Sequence, residues 1–270
     1  MDDLFWLTET QMERLKPFFP LSHGVPRVDD RRVLSGIIFI NRNGLRWRDA
    51  PAAYSPPKTL YNRWVRWSRL GVFARILTKL AAEGRDVETT MIDATHLKAH
   101  RTASSLRGKK GGPKRFIGRT KGGLNSKLHA VADAKGRPIG LYLSAGQTSD
   151  YIGARALLAS LPKAGTLLAD RGYDANWFRN ALIERDVQTC IPSRKGRKTL
   201  ITHDADLYRT RHKIENMFAR LKDWRRIATR YDRCADLFLS ACALAATVMF
   251  WLRVLTLEQV ALNPNHILRP

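Results

Sequence analysis

The most informative segment of the sequence is Leu207-Tyr-Arg-Thr-Arg-His-Lys-Ile-Glu-Asn-Met-Phe-Ala-Arg-Leu-Lys222. An α-helix turns by about 100° per residue, so Tyr208, Arg211, Glu215 and Lys222 fall within about 60° of one another. These four side chains therefore form one narrow stripe along a helix predicted over residues 205–225. In this arrangement Glu215 has a cation on each side along the helix axis.

A neighbouring stripe of the same helix is apolar and can dock on a sheet; it consists of Leu207, Ile214, Phe218 and Leu221. The alternative is a solvated charged face stabilised by pairs one turn apart. Such a face mixes its signs more evenly than this one does. Glu215 is outnumbered by the cations Arg209, Arg211, Lys213, Arg220, Lys222, Arg225 and Arg226. This excess favours contact with a polyanion.

Two further carboxylates follow β-prone apolar runs. Asp93 ends the run that begins at Val87, and Asp170 follows the run 166–169. Carboxylates at strand ends meet at one edge of a sheet and can share hard cations such as Mg²⁺. The alternative is that each aspartate only caps the next element, although Asp174 is the better helix cap of its segment.

The charge balance indicates a nucleic-acid partner. Of 270 residues, 47 are Lys or Arg and 24 are Asp or Glu, giving a net charge of +23. Such a surplus repels itself unless a polyanion binds. A membrane-surface protein or a ribosomal-type structural protein is the alternative, but the length and the 44% hydrophobic content favour a folded DNA-binding protein.

We expect a reducing compartment, because the three cysteines have no metal-ligand spacing and cannot all pair. The N-terminus has no basic start followed by an apolar run, so no signal peptide is expected. The uncharged run 237–252 is shorter than the roughly 20 residues that span a bilayer. It is interpreted as a buried core helix. A cytoplasmic, nucleoid-associated protein with no membrane contact is expected.

Residues 1–84 are predicted to form a small all-helical domain of helix-turn-helix type. Thr8 to Gln11 fits a capping box, and further helices begin near Asp29, Pro57 and Val72. The third helix interleaves cations with aromatic residues: Arg63, Arg66 and Arg69 with Tyr61, Trp64 and Trp67. Either the cations contact DNA, or the aromatics are core and the cations a solvated face. We favour DNA contact by Arg63 and Arg66.

Residues 87–258 are predicted to form an α/β domain. A hairpin pairs residues 124–132 with 138–145, and later strands alternate with helices. This order predicts a mixed sheet with helices on both faces. Residues 101–123 are rich in Gly, Lys and Arg and predict a flexible loop that binds phosphate through Lys109, Lys110, Lys114 and Arg115.

The spacing Tyr208-x₂-Arg211-x₃-Glu215-x₆-Lys222 reproduces without a gap the Tyr-Arg-Glu-Lys signature of bacterial insertion-sequence DDE transposases. Other blocks that resemble this family, in the right order, are Ile92-Asp-Ala-Thr, Gly118-Arg-Thr-Lys-Gly-Gly-Leu, Lys127-Leu-His-Ala, Gly146-Gln-Thr-Ser-Asp150 and Asp170-Arg-Gly-Tyr-Asp. The likeness covers residues 87–252, and the N-terminal helical unit resembles the one that commonly precedes them.

This resemblance implies an RNase H-like fold with Asp93, Asp170 and Glu215 as a catalytic triad. The implied cofactor is a pair of Mg²⁺ ions, for which Mn²⁺ substitutes. The implied partners are terminal inverted repeats and target DNA, with a dimer assembled on DNA. Only 45 residues separate Asp170 from Glu215. That interval is too short for the insertion domain of some relatives, so a hairpin at the cut DNA end is not inferred.

Our mechanistic hypothesis is that Asp93 bridges both metals while Asp170 and Glu215 each complete one. Water attacks first to free a 3′-hydroxyl, which then attacks target DNA at the same site. Tyr208, Arg211 and Lys222 would hold the DNA backbone. Rival functions are a nuclease of the same fold that does not join DNA, and a non-catalytic DNA-binding relative.

Three further polar residues are candidates for the site. Asp150 is predicted to cap the following helix rather than to serve the metal site. His96 and His129 lack partners at zinc-ligand spacing. His129 is interpreted as a hydrogen-bonded polar residue of a strand.

Overall fold

The computed structural model describes residues 4–21, 28–105 and 115–252. The capping box is confirmed, because the Thr8 hydroxyl accepts the Gln11 N–H while the Gln11 side chain accepts the Thr8 N–H. Gly71, in the left-handed conformation at φ 65°, separates the third and fourth helices. These first helices are α1 (Glu9–Leu15), α2 (Asp30–Asn43), α3 (Pro57–Arg69) and α4 (Val72–Gly84).

A seven-stranded mixed sheet follows the helical unit. Its strands are β1 (Thr89–Ala99), β2 (Gly118–Thr120), β3 (Gly123–Ala132), β4 (Pro138–Ala145), β5 (Thr166–Leu168), β6 (Gln188–Cys190) and β7 (Thr229–Arg230). Strand β3 pairs antiparallel with β1, β2 and β4, whereas β5 and β7 run parallel to β1 and β6 runs parallel to β5. The predicted mixed sheet and the β3–β4 hairpin are confirmed.

The remaining helices are α5 (Arg101–Ser104), α6 (Asp150–Leu158), α7 (Asn176–Ile183), α8 (Ala205–Arg209), α9 (His212–Lys222), α10 (Arg225–Ala228) and α11 (Ala235–Ala246). The prediction of one continuous helix over 205–225 was wrong, because the chain breaks between α8 and α9. The Thr210 hydroxyl donates to the Leu207 carbonyl at 2.7 Å, a local bond that competes with helix continuation.

Helices cover both faces of the sheet, as predicted. Neighbouring residues of β1 point to opposite faces. Ile92 belongs to the core under α6 and α7 with Leu157 and Phe178. Met91 belongs to the larger core that contains α9, α11 and the N-terminal helices.

The helical unit shares that larger core with the sheet. Trp64 and Trp67 are completely buried in it, and Trp251 at the other end of the chain donates its indole N–H to the Pro138 carbonyl at 2.8 Å. Arg226 donates to the Leu45 carbonyl at 3.0 Å. The division into domains 1–84 and 87–258 therefore stays a prediction. Residues from both sides of this boundary contribute to the same apolar core.

The run 237–252 lies in this core, in α11 and a π-helical turn at Thr247–Trp251, which confirms the predicted buried helix. The predicted end of the second domain at residue 258 lies outside the described residues. None of the helices described here has the length and apolarity required to cross a membrane.

Candidate active site

Asp93 lies inside strand β1, and its prediction as the last residue of the strand was wrong. Pairing with β3 carries β1 on to Lys98, with Asp93 opposite Ala130, and pairing with β7 extends it to Ala99. The other edge of β1 is shared: β5 pairs with residues 89–91 and β7 with residues 98–99. In the described structure, the part of β1 between these two pairings has no strand beside it at this edge, so side chains from neighbouring elements can reach it.

Asp170 follows β5 at this point. Leu168, the last residue of β5, pairs with Met91, so the chain leaves the sheet level with Asp93. The Asp170 carboxylate accepts the Gly172 N–H at 2.9 Å and caps the short 3₁₀ helix Arg171–Tyr173. Asp170 can therefore cap this helix and also serve the site, because Oδ1 accepts the Gly172 N–H and Oδ2 is a separate acceptor.

Asp174 is not the helix cap that we predicted. The N-cap of α7 is Ala175, and Asp174 is buried between Arg179 and Arg197, each at 2.7 Å. Burial disfavours its ionisation, but the N–H of Arg194 and the two guanidinium groups hold the pKa of Asp174 below its ordinary value. Asp174 therefore fastens the loop after β6 to the start of α7.

Arg211 joins two of the three predicted catalytic carboxylates. Its Nη1 lies 2.8 Å from Oδ2 of Asp93, and its Nη2 donates to Oε1 of Glu215. The side chains of Arg211 and Asp93 are 16% and 17% exposed, whereas that of Glu215 is 55% exposed. The structure thus gathers Asp93 and Glu215 on one half-buried guanidinium.

The ionisation of Asp93 reflects a crowded acidic site. Burial raises the pKa of Asp93, and the charge of Asp170 raises it further, against the Ala94 N–H and Arg211. Burial works to lower the pKa of Arg211, but Asp93 and Glu215 hold it above its usual value. Arg211 is the positive partner that offsets the negative charges of Asp93 and Glu215.

The carboxylates fit divalent ions in their chemistry. Asp93, Asp170 and Glu215 form an all-oxygen set, which suits Mg²⁺ or Mn²⁺. Across the described parts of the chain, no three acidic, histidine or cysteine side chains converge closely enough to hold an ion as they stand. Arg211 is bonded to one oxygen of Asp93 and to one oxygen of Glu215.

The other residues of the helical stripe also face β1. Lys222 Nζ donates to the Thr95 hydroxyl at 2.8 Å, and burial lowers the pKa of Lys222. The ring of Tyr208 lies 5.8 Å from the guanidinium carbon of Arg211. The stripe predicted on an unbroken helix is thus gathered in space even though α8 and α9 are separate.

Among the predicted DNA contacts, Arg63 is engaged internally. It pairs with Asp30 at 2.9 Å, and its guanidinium lies 5.7 Å from the centre of the Trp67 ring. Arg66, by contrast, is exposed. The aromatic residues Trp64 and Trp67 are core, as our alternative interpretation held.

The predicted phosphate-binding loop is only partly visible. Arg115 is half-buried and donates to the Ser104 carbonyl at 2.7 Å. Lys109, Lys110 and Lys114 lie outside the described residues. A role of these four cations in DNA contact stays a prediction.

A second polar cluster beside the site was missed from the sequence. Asp150 is the first residue of α6, whose N-cap is Ser149, and its carboxylate pairs with Lys127 at 2.8 Å instead of capping. His129 accepts or donates a bond to Ser144 at 2.8 Å, which confirms its interpretation as a hydrogen-bonded strand residue. A lysine inside a strand, Lys127, was the signal that an acid partner would lie beside it.

Tyr173 completes this cluster. It is fully buried, and its hydroxyl has no hydrogen-bond partner within the described structure. Burial raises the pKa of Tyr173 well above its ordinary value, as do the charges of Asp150, Asp93 and Asp170. Tyr173 therefore lies within the electrostatic influence of both groups, the Asp150 cluster and the carboxylates Asp93 and Asp170.

Comparisons with known proteins identify the family of the chain. A family model described as "Transposase DDE domain" matches residues 86–250, and one described as "Putative transposase of IS4/5 family" matches residues 7–77. The chain is 37% identical over 131 residues to a Brucella ovis protein named "Putative transposase for insertion sequence element IS6501", which covers 48% of this chain and 100% of that protein. It is 28% identical over 137 residues to a Burkholderia cepacia protein named "Putative transposase for insertion sequence element IS402", which covers 47% of this chain and 63% of that protein.

Among solved structures, the fold is similar to a piggyBac transposase synaptic complex with hairpin DNA. The TM-score is 0.57 at 8% sequence identity, covering 98% of this chain and 76% of that chain. At this identity the likeness shows the fold alone, a mixed sheet of RNase H-like type with helices on both faces. Because the DDE model spans well over half of the sequence, the chain belongs to the insertion-sequence transposases with a DDE domain.

Proposed function

We propose that this transposase cuts DNA at the ends of an insertion sequence and joins those ends to target DNA, with Asp93, Asp170 and Glu215 as its catalytic residues. The observation that carries the proposal is the meeting of Asp93 and Glu215 on Arg211, with Asp170 leaving the sheet at the same level. Family membership supplies the reaction class, a polynucleotidyl transfer.

The three carboxylates would hold two Mg²⁺ ions, or Mn²⁺ in their place, with Asp93 shared and Asp170 and Glu215 serving one ion each. Bound ions supply activation of the attacking oxygen and stabilisation of the leaving oxygen. Asp93 is fixed by strand pairing and by the Ala94 N–H at 2.8 Å. Asp170 is fixed by Gly172, and Glu215 by the buried face of α9.

The cations and the tyrosine of the stripe would hold the DNA backbone near the carboxylates. Lys222 is anchored beside Asp93 through Thr95 and acts as a point charge, whereas Arg211 offers a planar pair of donors to a phosphate. Tyr208 lies against Arg211 and can support it there. The net charge of +23 supports DNA as the partner.

A second DNA surface is proposed on the exposed face of α3. Tyr61, Asn62, Arg66 and Arg69 are exposed on this helix, which contains no acidic residue. We propose that this face contacts the terminal inverted repeats, with Arg66 as its principal cation. Arg63 would contact DNA only by giving up its pair with Asp30.

The decisive experiment incubates the full chain with labelled DNA carrying the element's end and a second target duplex, with Mg²⁺ or with chelator. The proposal expects metal-dependent cuts at the repeat boundary and joined products, both lost in Asp93→Asn and Glu215→Ala. Asp206→Asn is the matched control, because Asp206 is an acid of the neighbouring helix that is 88% exposed and pairs with Arg209.

Each alternative has its own outcome. Cuts without joined products would identify a nuclease, and DNA binding without cuts would identify a non-catalytic relative. Retained cleavage in Glu215→Ala would remove that residue from the triad. A dimer on DNA, acting at the nucleoid in the cytoplasm, is the proposed state, and the mass of the protein–DNA complex tests the dimer.

A further inference from the structure

Arg211 occupies the position of a counter-ion between the catalytic carboxylates. Both oxygens of Asp93 are engaged: Oδ2 by Arg211 at 2.8 Å and Oδ1 by the Ala94 N–H at 2.8 Å. Glu215 shares the same guanidinium through Oε1. Lys222 is bound to Thr95, so in the described chain Arg211 is the cation bonded to Asp93 and Glu215.

We propose that Arg211 is a built-in competitor of the catalytic metal, whose guanidinium must leave Asp93 and Glu215 before these carboxylates bind a divalent ion. The guanidinium released in this way is then free to bind the DNA phosphate. This inference rests on the proposed function, since it takes Asp93 and Glu215 as metal ligands.

The competition follows from the atoms involved. A divalent ion needs the carboxylate oxygens that Arg211 now uses, and a guanidinium left in place would repel the ion strongly in a half-buried site. Removing the guanidinium leaves the charge of Asp93 facing that of Asp170, which already raises the pKa of Asp93. Metal and Arg211 are therefore alternative ways to neutralise the same charge.

Releasing the carboxylates requires movement of the Arg211 side chain alone. Arg211 is the N-cap of α9, and its backbone is held by hydrogen bonds to Tyr208 and Ile214. The Tyr208 ring already lies 5.8 Å from its guanidinium carbon and offers an aromatic face beside the carboxylates. A modest rotation of the side chain toward this ring would free Asp93.

Metal binding and DNA binding should then favour each other. Each requires the guanidinium away from the carboxylates, so each ligand lowers the free energy that the other must supply. Such coupling is reciprocal for equilibrium binding. DNA that takes Arg211 raises metal affinity, and metal that displaces Arg211 raises DNA affinity.

The test measures Mn²⁺ binding to the full chain without DNA, by calorimetry and by the spin-resonance signal of free Mn²⁺. We expect Arg211→Gln to bind Mn²⁺ roughly tenfold more tightly than the unchanged protein. In this variant the metal ion no longer has to displace a charged hydrogen bond from the carboxylates. Arg209→Gln, two residues away and with the same change of net charge, should bind as the unchanged protein does. Asp93→Asn should lose the site.

The outcomes separate this inference from the proposed function. Equal Mn²⁺ affinity in Arg211→Gln and the unchanged protein, with binding still lost in Asp93→Asn, would overturn the competition and leave the metal site standing. Absence of any binding that depends on Asp93 would overturn the metal site and the inference together. Should Arg211→Gln fail to fold by circular dichroism, Arg211→Lys replaces it, because lysine cannot bridge both carboxylates and should tighten binding by a smaller factor.

A second arm adds duplex DNA at saturating concentration. The unchanged protein should then bind Mn²⁺ more tightly than it does alone, and most of that increase should be missing in Arg211→Gln. An increase of the same size in both proteins would contradict the role of Arg211 in the coupling.

Discussion

His129 is a buried histidine whose ionisation makes stability depend on pH. Burial lowers its pKa to about 4, against an ordinary value of 6.5. Between these values the unfolded chain binds a proton that the folded protein does not bind, so stability is present above pH 6.5 and falls as the pH drops toward 4. The contribution of this residue is at most about 3 kcal/mol.

We therefore expect His129→Gln to reduce the loss of unfolding free energy between pH 6.5 and pH 4.5, as measured by urea unfolding at several pH values. The exposed His212 is the control, and His212→Gln should keep the pH dependence of the unchanged protein. If His129→Gln shows the same dependence as the unchanged protein, His129 is not the titrating group.

Single residues were predicted from the sequence with uneven success. The capping box at Thr8 was correct because it depends only on residues three apart. Asp174 and Asp150 were predicted as caps because aspartate is common at helix starts. Their real partners, Arg179 for Asp174 and Lys127 for Asp150, come from other elements, and one sequence alone does not show which elements meet.

Helix α6 packs so closely on the sheet that one methyl group should disturb it. A β-carbon on Gly153 would lie 2.0 Å from Nδ1 of His129, a buried ring that cannot move aside. We expect Gly153→Ala to lower the free energy of unfolding by about 1 to 3 kcal/mol. Gly122→Ala is the control, since its β-carbon would come no closer than 3.8 Å to the nearest atom, Oγ1 of Thr120. Unchanged stability in Gly153→Ala would show that α6 shifts freely.

Helix α3 carries two arginines with different expected roles. Arg66→Ala should weaken binding to the terminal repeat and reduce its salt dependence by about one released ion, without changing the melting temperature. Arg63→Ala should instead remove the half-buried ion pair with Asp30 and lower the free energy of unfolding by about 1 to 3 kcal/mol. Fluorescence anisotropy with labelled repeat DNA and thermal melting measure the two effects. A large loss of affinity in Arg63→Ala with unchanged stability would reverse the two roles.

Element types were predictable where the hydrophobic period was strong, and their ends were less so. The hairpin of β3 and β4 was correct because its turn has Gly136 at φ 76°. The strand at Asp93 was predicted too short, because residues 94–99 have weak β-propensity of their own and are extended by pairing with β3 and, at the end, with β7. The helix break at Thr210 was missed, since the periodic stripe continues across it.

The whole molecule should unfold as one unit. The N-terminal helices, the sheet and α11 contribute to a single apolar core, and Arg226 ties the loop at Leu45 to α10. Scanning calorimetry should therefore show one transition whose calorimetric and van't Hoff enthalpies agree. Two separate transitions would support independent domains at 1–84 and 87–258.

The composition of the whole chain predicts a class of partner but not the packing of the chain. The net charge of +23 alone favours a nucleic-acid partner. The change of composition near residue 85 marked where helices give way to strands. It gave no sign that Trp64 on one side and Phe238 on the other would share a core, because burial against a distant element leaves no local pattern.

The common core has a consequence for where the DNA is cut. Domains joined through a large apolar interface do not pivot freely, so the exposed face of α3 and the carboxylates beside β1 keep one separation. On a duplex bound to both surfaces as we propose, that separation would correspond to a set number of base pairs between the contacted sequence and the broken bond. Inserting half a helical turn, about five base pairs, between the repeat and the element boundary should therefore shift the cut away from the boundary by the inserted length.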